Sequence, residues 1–327
     1  MIKRILILTA FATLATGPAR ADESVNENKG KLSDVTGTQN KVSGAEEVDD
    51  LITNNNLRAF SGSTSRWSIA SQFNYNGGSV QSPLSEDRPN ISQSSGTTVK
   101  SDLDGSVSVK YNLGVKDSLM AGFGIRWIAP LEAGGPTNYD GSTFDAMNPY
   151  VQYQHIYKWV GIQSVLQVQM MQWTQTDQTA LGYAQQLSFD QENMYEIGTS
   201  RISVGASVAG QYQWFDKSGS YGSPSDPNYV ADLGTVQSIY SFVFAPELEY
   251  QLTDKINLRT LVSLWNFEHY AATRNPETFV HDKVYQSIGV GIAVTRDVFL
   301  YPNVQFLPDN IRDSVTNVGM AATINMF

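Results

Sequence analysis

The sequence predicts an all-β fold, an antiparallel up-and-down transmembrane β-barrel of about twelve strands with an N-terminal periplasmic extension. Three observations predict it. Segment after segment alternates apolar with polar residues, the period of a strand with one oily and one wet face. The connections between segments are short and long in turn. After the first residues, no apolar run reaches the ~18 residues of a membrane helix. The chain is therefore either soluble and exported, or it crosses lipid as a closed barrel that satisfies every backbone hydrogen bond. A soluble sandwich gives no reason for loop lengths to alternate.

Residues 1–21 have the layout of a secretory signal. Lys3 and Arg4 precede a short apolar core, and Ala19-Arg20-Ala21 is an A-x-A cleavage site that puts the mature start at Asp22. The chain has no Cys, which excludes a lipid-anchored lipoprotein and disulfides. The formal net charge is −10, and loss of Lys3, Arg4 and Arg20 makes the remainder more acidic. That balance argues against nucleic acid as a partner.

Residues 22–64 are poor in apolar residues and read as a flexible extension or plug. Within them, Val48, Leu51 and Ile52 fall at i, i+3 and i+4 among Glu46, Glu47, Asp49 and Asp50. This spacing predicts a short amphipathic helix over 45–53. It is expected as a plug in the barrel, a lid at its mouth, or a tether whose helix caps the rim.

Residues 65–327 are the expected barrel. The first segment sets Trp67, Ile69, Phe73 and Tyr75 against Ser68, Ala70, Gln72 and Asn74. After a loop over 77–100 comes the clearest hairpin. Leu103, Val107, Val109, Tyr111 and Leu113 oppose Ser106, Ser108, Lys110 and Asn112. Past a turn at 114–118, Leu119, Ala121, Phe123, Ile125, Trp127 and Ala129 oppose Gly122, Gly124 and Arg126. A second loop covers 130–146. The fourth segment has Val151, Tyr153, His155 and Tyr157 against Tyr150, Gln152 and Gln154. The fifth has Ile162, Ser164, Leu166, Val168 and Met170 against Gln163, Gln167 and Gln169. The sixth, over 181–190, puts Leu181, Tyr183, Leu187 and Phe189 on one face, interrupted by Gln185. The seventh runs from Ile202 to Trp214. Beyond a loop over 215–236, Tyr240, Phe242, Phe244, Leu248 and Tyr250 oppose Glu247, Glu249 and Gln251. Ile256, Leu258, Val262 and Leu264 oppose Asn257, Arg259 and Ser263. Three further segments, at 284–294, 298–306 and 314–326, complete the even number that single-chain bacterial barrels have.

Turn geometry fixes the faces, because a one-residue slip exchanges them. A three-residue turn at 253–255 pairs Leu252 with Ile256 and Glu249 with Arg259; the same count applies at 295–297. Pro149, Pro246 and Pro302 fall within strands and lack a ladder N–H; Pro246 and Pro302 are expected to mark bulges or local breaks. By parity Leu261, Trp265 and Phe267 point inward, which requires a partly filled interior or a bulge that shifts the phase.

With its signal layout, its strands and its terminal Phe327, the chain resembles bacterial outer-membrane β-barrels of the porin-like class. Phe327 looks like the aromatic end that barrel-assembly machinery reads, although it is out of phase with Ile324 and Met326. The stretch over 50–59, together with Tyr75-Asn-Gly-Gly, is similar to a group of such proteins in predatory delta-class bacteria. The resemblance implies an outer-membrane location in contact with lipid and lipopolysaccharide. Loop alternation adds that both termini lie in the periplasm.

The expected pore-lining residues are Lys110, Arg126, Gln152, Gln154, Gln163, Gln167, Gln169, Glu247, Glu249 and Arg259. Glu247, Glu249 and Arg259 form either a charged constriction with Lys110 and Arg126 or a cross-strand salt bridge on a wet wall. The glutamines offer hydrogen bonds to a neutral polar solute or simply make the wall polar. Asp140, Asp145, Asp226 and Asp232 are loop carboxylates that either hold divalent cations between lipopolysaccharide headgroups or are solvated charge. His155 and Ser164 face lipid, but they lack the spacing of a barrel phospholipase, and an interfacial aromatic belt explains His155. His269 and His281 have no ligand-spaced partners. No catalytic, cofactor or metal residues are expected. The expected function is a channel for passive diffusion of small polar solutes; the alternative is a non-conducting structural or surface-interaction barrel that works through its loops.

Overall fold

A computed structural model of the chain describes residues 45–91, 98–131, 143–220, 222, 230, 232–272, 279–281 and 284–327. The expected signal segment over 1–21, residues 22–44, Asp140 and Asp226 lie outside the described residues. Twelve antiparallel strands form one closed sheet. They are β1 (Trp67–Ser79), β2 (Asp102–Asn112), β3 (Asp117–Ile128), β4 (Phe144–Trp159), β5 (Ile162–Gln172) and β6 (Tyr183–Glu196). Next come β7 (Ile202–Phe215), β8 (Ser238–Thr253) and the interrupted β9 (Ile256–Ser263 and Trp265–Tyr270). The last are β10 (Tyr285–Thr295), β11 (Val298–Phe306) and β12 (Thr316–Met326). Each strand pairs with the next, and β12 returns to β1, with Met326 opposite Ile69. Full closure leaves no exposed sheet edge, which is what permits strands to cross lipid.

The alternation sorts side chains by face. Val109, Phe123, Val151, Leu187, Leu258 and Ile288 stand on the outer wall and are exposed; Ser108, Gln152, Ser188 and Ser287 face inward and are buried. Two aromatic girdles bound the apolar band, as at membrane interfaces. Trp67, Trp159, Tyr195 and Tyr250 ring the rim of short turns, and Trp127, Phe144 and Trp214 the rim of long loops.

Local geometry departs from the simplest parity where the backbone has a reason. Gln251 pairs with Asn257, but Thr253 rather than Leu252 meets Ile256, so an extra residue bulges at that turn. The same shift places Thr295 opposite Val298. Glu249 still faces Arg259. A second bulge falls where β9 is interrupted: three residues, 262–264, face only Ala245 and Pro246 of β8, and the proline has no N–H for the ladder. It turns Trp265 and Phe267 to the outer face opposite Phe244 and Phe242, while Leu261 stays inside and buried. Pro302, expected to mark a break, instead keeps regular register opposite Met320. Another register shift, between Gly122 and Gly124 on β3, lies next to Pro149, and Asn148 there has φ 52°. The expected common face of β6 is also broken: a shift between Tyr183 and Gln185 leaves Leu187 and Phe189 outside. Leu181 and Tyr183 instead join Trp173, Val230, Leu233 and Val236 in an apolar cluster at the long-loop rim.

Two helices precede the barrel. α1 covers Ala45–Leu51, two residues shorter than the expected helix, and α2 covers Asn55–Ser61, which the apolar spacing did not predict. Asn54 caps α2, its Oδ1 accepting from Leu57 N at 2.9 Å. Gly62 ends it at φ 81°, where a Cβ would meet the Lys110 Nζ at 2.8 Å. A third short helix, α3 (Thr176–Ala180), follows β5 on the long-loop side.

Candidate functional site

The lumen at the short-turn end is occupied by α1 and α2. Val48, Ile52, Leu57 and Phe60 pack against Ile156, Val165 and Met194. These three wall residues are inward positions of β4, β5 and β6, where a water-filled channel would carry polar side chains. Their apolar character is accounted for by the helices they cover.

Polar wall residues hold the carbonyls at the C-terminal end of α2 and in the two residues that follow it. Gln154 Nε2 donates to Ser61 O at 2.8 Å, and Lys110 Nζ donates to the same oxygen. Asn325 Nδ2 donates to Ala59 O at 2.8 Å, Arg296 Nη1 to Gly62 O at 3.0 Å and Asn112 Nδ2 to Ser63 O at 3.0 Å. At the other end of α2, Gln163 Oε1 accepts from Asn54 N at 2.7 Å. Asp49 of α1 meets Arg296, whose Nε lies 2.9 and 3.2 Å from its two carboxylate oxygens.

Above the helices lies a cavity of about 240 Å³. Phe60, Ser61 and Gly62 form its floor, and Gln175 and Gln178 border its far end. Six of the ten expected pore residues surround it: Lys110, Arg126, Gln152, Gln154, Gln167 and Gln169. Gln163 sits lower, against the helices. Glu247, Glu249 and Arg259 form a separate, fully buried group in the β8–β9 wall. Arg259 Nε donates to Glu247 Oε2 at 2.9 Å and lies 3.8 Å from Glu249 Oε1, while its guanidinium carbon stands 5.0 Å from the Tyr301 ring centroid. The five charged residues considered for a constriction thus occupy three places. Lys110 is at the helices, and Arg126 is near the outer end, 3.3 Å from Asp102. The Glu247–Arg259 group is in the wall.

Two cavity carboxylates belong to β6. Asp190 and Glu192 continue the inward series Gln186, Ser188 and end next to Met194. A sixth segment ended at residue 190 hides Glu192; the period-two series past Asp190 is the signal that finds it. At the outer end, Asn76 Nδ2 donates to Asp102 Oδ1 and Asp104 Oδ1 at 3.0 and 3.1 Å, and Arg88 stands 3.6 Å from Asp102.

The other candidates are dispersed. His155 Nδ1 lies 2.8 Å from Asp117 Oδ1, while Ser164 Oγ donates to Asn193 Oδ1 at 2.9 Å, so the serine and histidine belong to different hydrogen bonds. His269 stacks on Tyr240, and His281 packs edge-on against Phe267. Asp145 lies in β4, and Asp232 accepts from Gly234 N at 2.9 Å. Among the described residues, no group of three or more His, Cys, Asp or Glu is arranged to hold a metal ion.

A closed sheet with an apolar, girdled exterior and a hydrophilic interior decides the architecture. The chain is a twelve-stranded barrel of the outer-membrane type. No protein-family model and no curated sequence matches it. Among solved structures it is similar to an outer-membrane channel from Pseudomonas putida F1, with TM-score 0.45, 8% identity, 81% of this chain covered and 97% of that one. It is also similar to the NanC porin, with TM-score 0.40, 8% identity, and 79% and 98% covered. For the KdgM porin the figures are 0.38, 6%, and 80% and 98%. At such scores these likenesses add nothing to what the barrel's own geometry shows.

Proposed function

We propose that the protein is a porin-like channel of the bacterial outer membrane, with both termini in the periplasm and its lumen shut by a plug formed from α1 and α2. It works by passive diffusion of small polar solutes and has no catalytic role. The single observation that supports this most strongly is the hydrophilic cavity above the helices. A barrel built only as a structural wall needs no interior space, whereas Gln152, Gln154, Gln167, Gln169, Gln186 and Gln211 line this one with groups that replace hydration. The plug accounts for the apolar wall residues Ile156, Val165 and Met194. Outer-membrane lipid, lipopolysaccharide and the assembly machinery are the partners this location entails.

Planar-bilayer recording tests the reading. A variant lacking residues 22–64 should give discrete conductance steps, and the full chain smaller or rarer ones. A folded barrel that stays silent in both forms refutes the channel and leaves the alternative, a surface-interaction barrel acting through its loops.

A further inference from the structure

We infer that the β6–β7 wall of the cavity is a binding site for a small organic cation, an alkylammonium class of solute. The inference rests on the channel reading, because the site faces the lumen. Glu192 is 1% exposed, and the Ser207 hydroxyl opposite it on β7 can serve one carboxylate oxygen and leaves the other without a hydrogen-bond partner. Asp190 Oδ1, two residues away on the same face, is likewise buried without one, as is Gln213 Oε1 on β7. All three residues line the cavity. Ser207 lies opposite Glu192 on β7 and offers its hydroxyl to that carboxylate alone, so Asp190 Oδ1 and Gln213 Oε1 stay unmet.

Every unpartnered atom that these three residues offer is an acceptor, so what completes the site must donate. A buried carboxylate without a partner is costly and is relieved by a proton or by a cation; only the second has use for an adjoining cavity. The local charges favour the cation. Asp102, Asp104, Asp190 and Glu192 stand on the cavity against two bases, Lys110 and Arg126. Both bases are engaged, Lys110 with the Ser61 carbonyl and Arg126 with Asp102. Arg259, the base of the neighbouring wall, is committed to Glu247. An anion entering here meets four carboxylates and two bases that already hold partners, Arg126 being ion-paired with Asp102 although its Nε makes no hydrogen bond; a cation finds the vacant acceptors of Glu192, Asp190 and Gln213. The described residues give no metal-type ligand set, whereas an ammonium group with three rotatable donors is served by acceptors on two adjacent strands. The cavity of about 240 Å³ admits a short aliphatic chain behind that head.

The probe is 1,4-diaminobutane, titrated into the detergent-solubilised full chain by calorimetry, in parallel with reversal potentials of the variant lacking residues 22–64 in a potassium chloride gradient. The expected result is saturable binding that weakens about tenfold or more in Glu192→Gln, the loss of a charge-assisted hydrogen bond. Potassium should permeate better than chloride, with the preference reduced in the Asp190→Asn, Glu192→Gln double variant. Both changes keep side-chain size, and gel mobility before and after heating verifies folding. Conductance without diamine binding, or with chloride permeating as well as potassium, overturns the cation site and leaves the channel intact. Binding that is lost in Glu192→Gln while the shortened barrel is silent upholds the site and overturns the channel.

Discussion

Replacing Ile52 by Ala should loosen the plug without unfolding the barrel. Ile52 is fully buried between the two helices and the wall formed by Ile156, Val165 and Met194. Truncating a buried isoleucine costs about 2 to 5 kcal/mol, depending on how far the site collapses. Short helices can settle into the gap, so the lower part of that range applies. About 2 to 3 kcal/mol corresponds to a roughly 30- to 140-fold rise in the undocked fraction. The chain has no Cys, so one introduced thiol reports on it alone. Ala59→Cys places that thiol at a buried position of α2. Its modification by a water-soluble maleimide requires undocking, and the rate follows the undocked fraction when closing is faster than labelling. Ile52→Ala should accelerate labelling by that factor and raise bilayer conductance in parallel. Equal labelling rates in a folded barrel would refute the docking energetics drawn from Ile52.

Four other outcomes follow from particular residues. Val151 stands on the outer wall near the midpoint of β4, so Val151→Arg should cost about 2 to 4 kcal/mol in urea unfolding from lipid vesicles, as a charge facing hydrocarbon does; Gln152→Arg, one residue on and facing the lumen, should cost clearly less. Arg259→Met leaves Glu247 buried without its cation and should destabilise the barrel by about 3 to 5 kcal/mol in the same assay. Val160 sits at φ 50° beside Gly161 at φ 83° in the turn between β4 and β5, so Val160→Asn should stabilise by about 1 kcal/mol, seen as a higher urea midpoint. Burial holds the Asp177 carboxyl of α3 above its ordinary range, with Arg126 opposing the effect in part. Ionising such a group costs stability as pH rises from the unfolded value of 3.8 through the higher folded one. Asp177→Asn should therefore slow hydrogen exchange over residues 176–182 at neutral pH and make no difference in acid. A difference that persists in acid would contradict this.

The wall of the barrel was legible because its signal is local. Period-two alternation fixes which of Val151 and Gln152 meets lipid, whatever the rest of the chain does. It failed where one residue was inserted. Trp265 and Phe267 read as inward until the bulge opposite Pro246 reversed them, and Tyr183 left the face of Leu187 through a shift beside Gln185. Strand periodicity marks the anomaly at Leu261, Trp265 and Phe267 but does not choose between a filled interior and a bulge, since that is settled by the partner strand.

The interior was legible in composition but not in arrangement. The sequence by itself determined that Lys110, Gln154, Glu247 and Arg259 belong to inward stripes. Only closure of twelve strands decided that Lys110 and Gln154 turn to the Ser61 carbonyl while Arg259 turns to Glu247 in a different part of the wall. Ile156, Val165 and Met194 look like isolated exceptions in three separate segments. They become one apolar seat when β4, β5 and β6 lie side by side and α1 and α2 descend onto them. Alternation is a property of neighbouring residues, whereas a seat for a plug is a property of segments more than a hundred positions apart, as in the bond between Asn54 and Gln163.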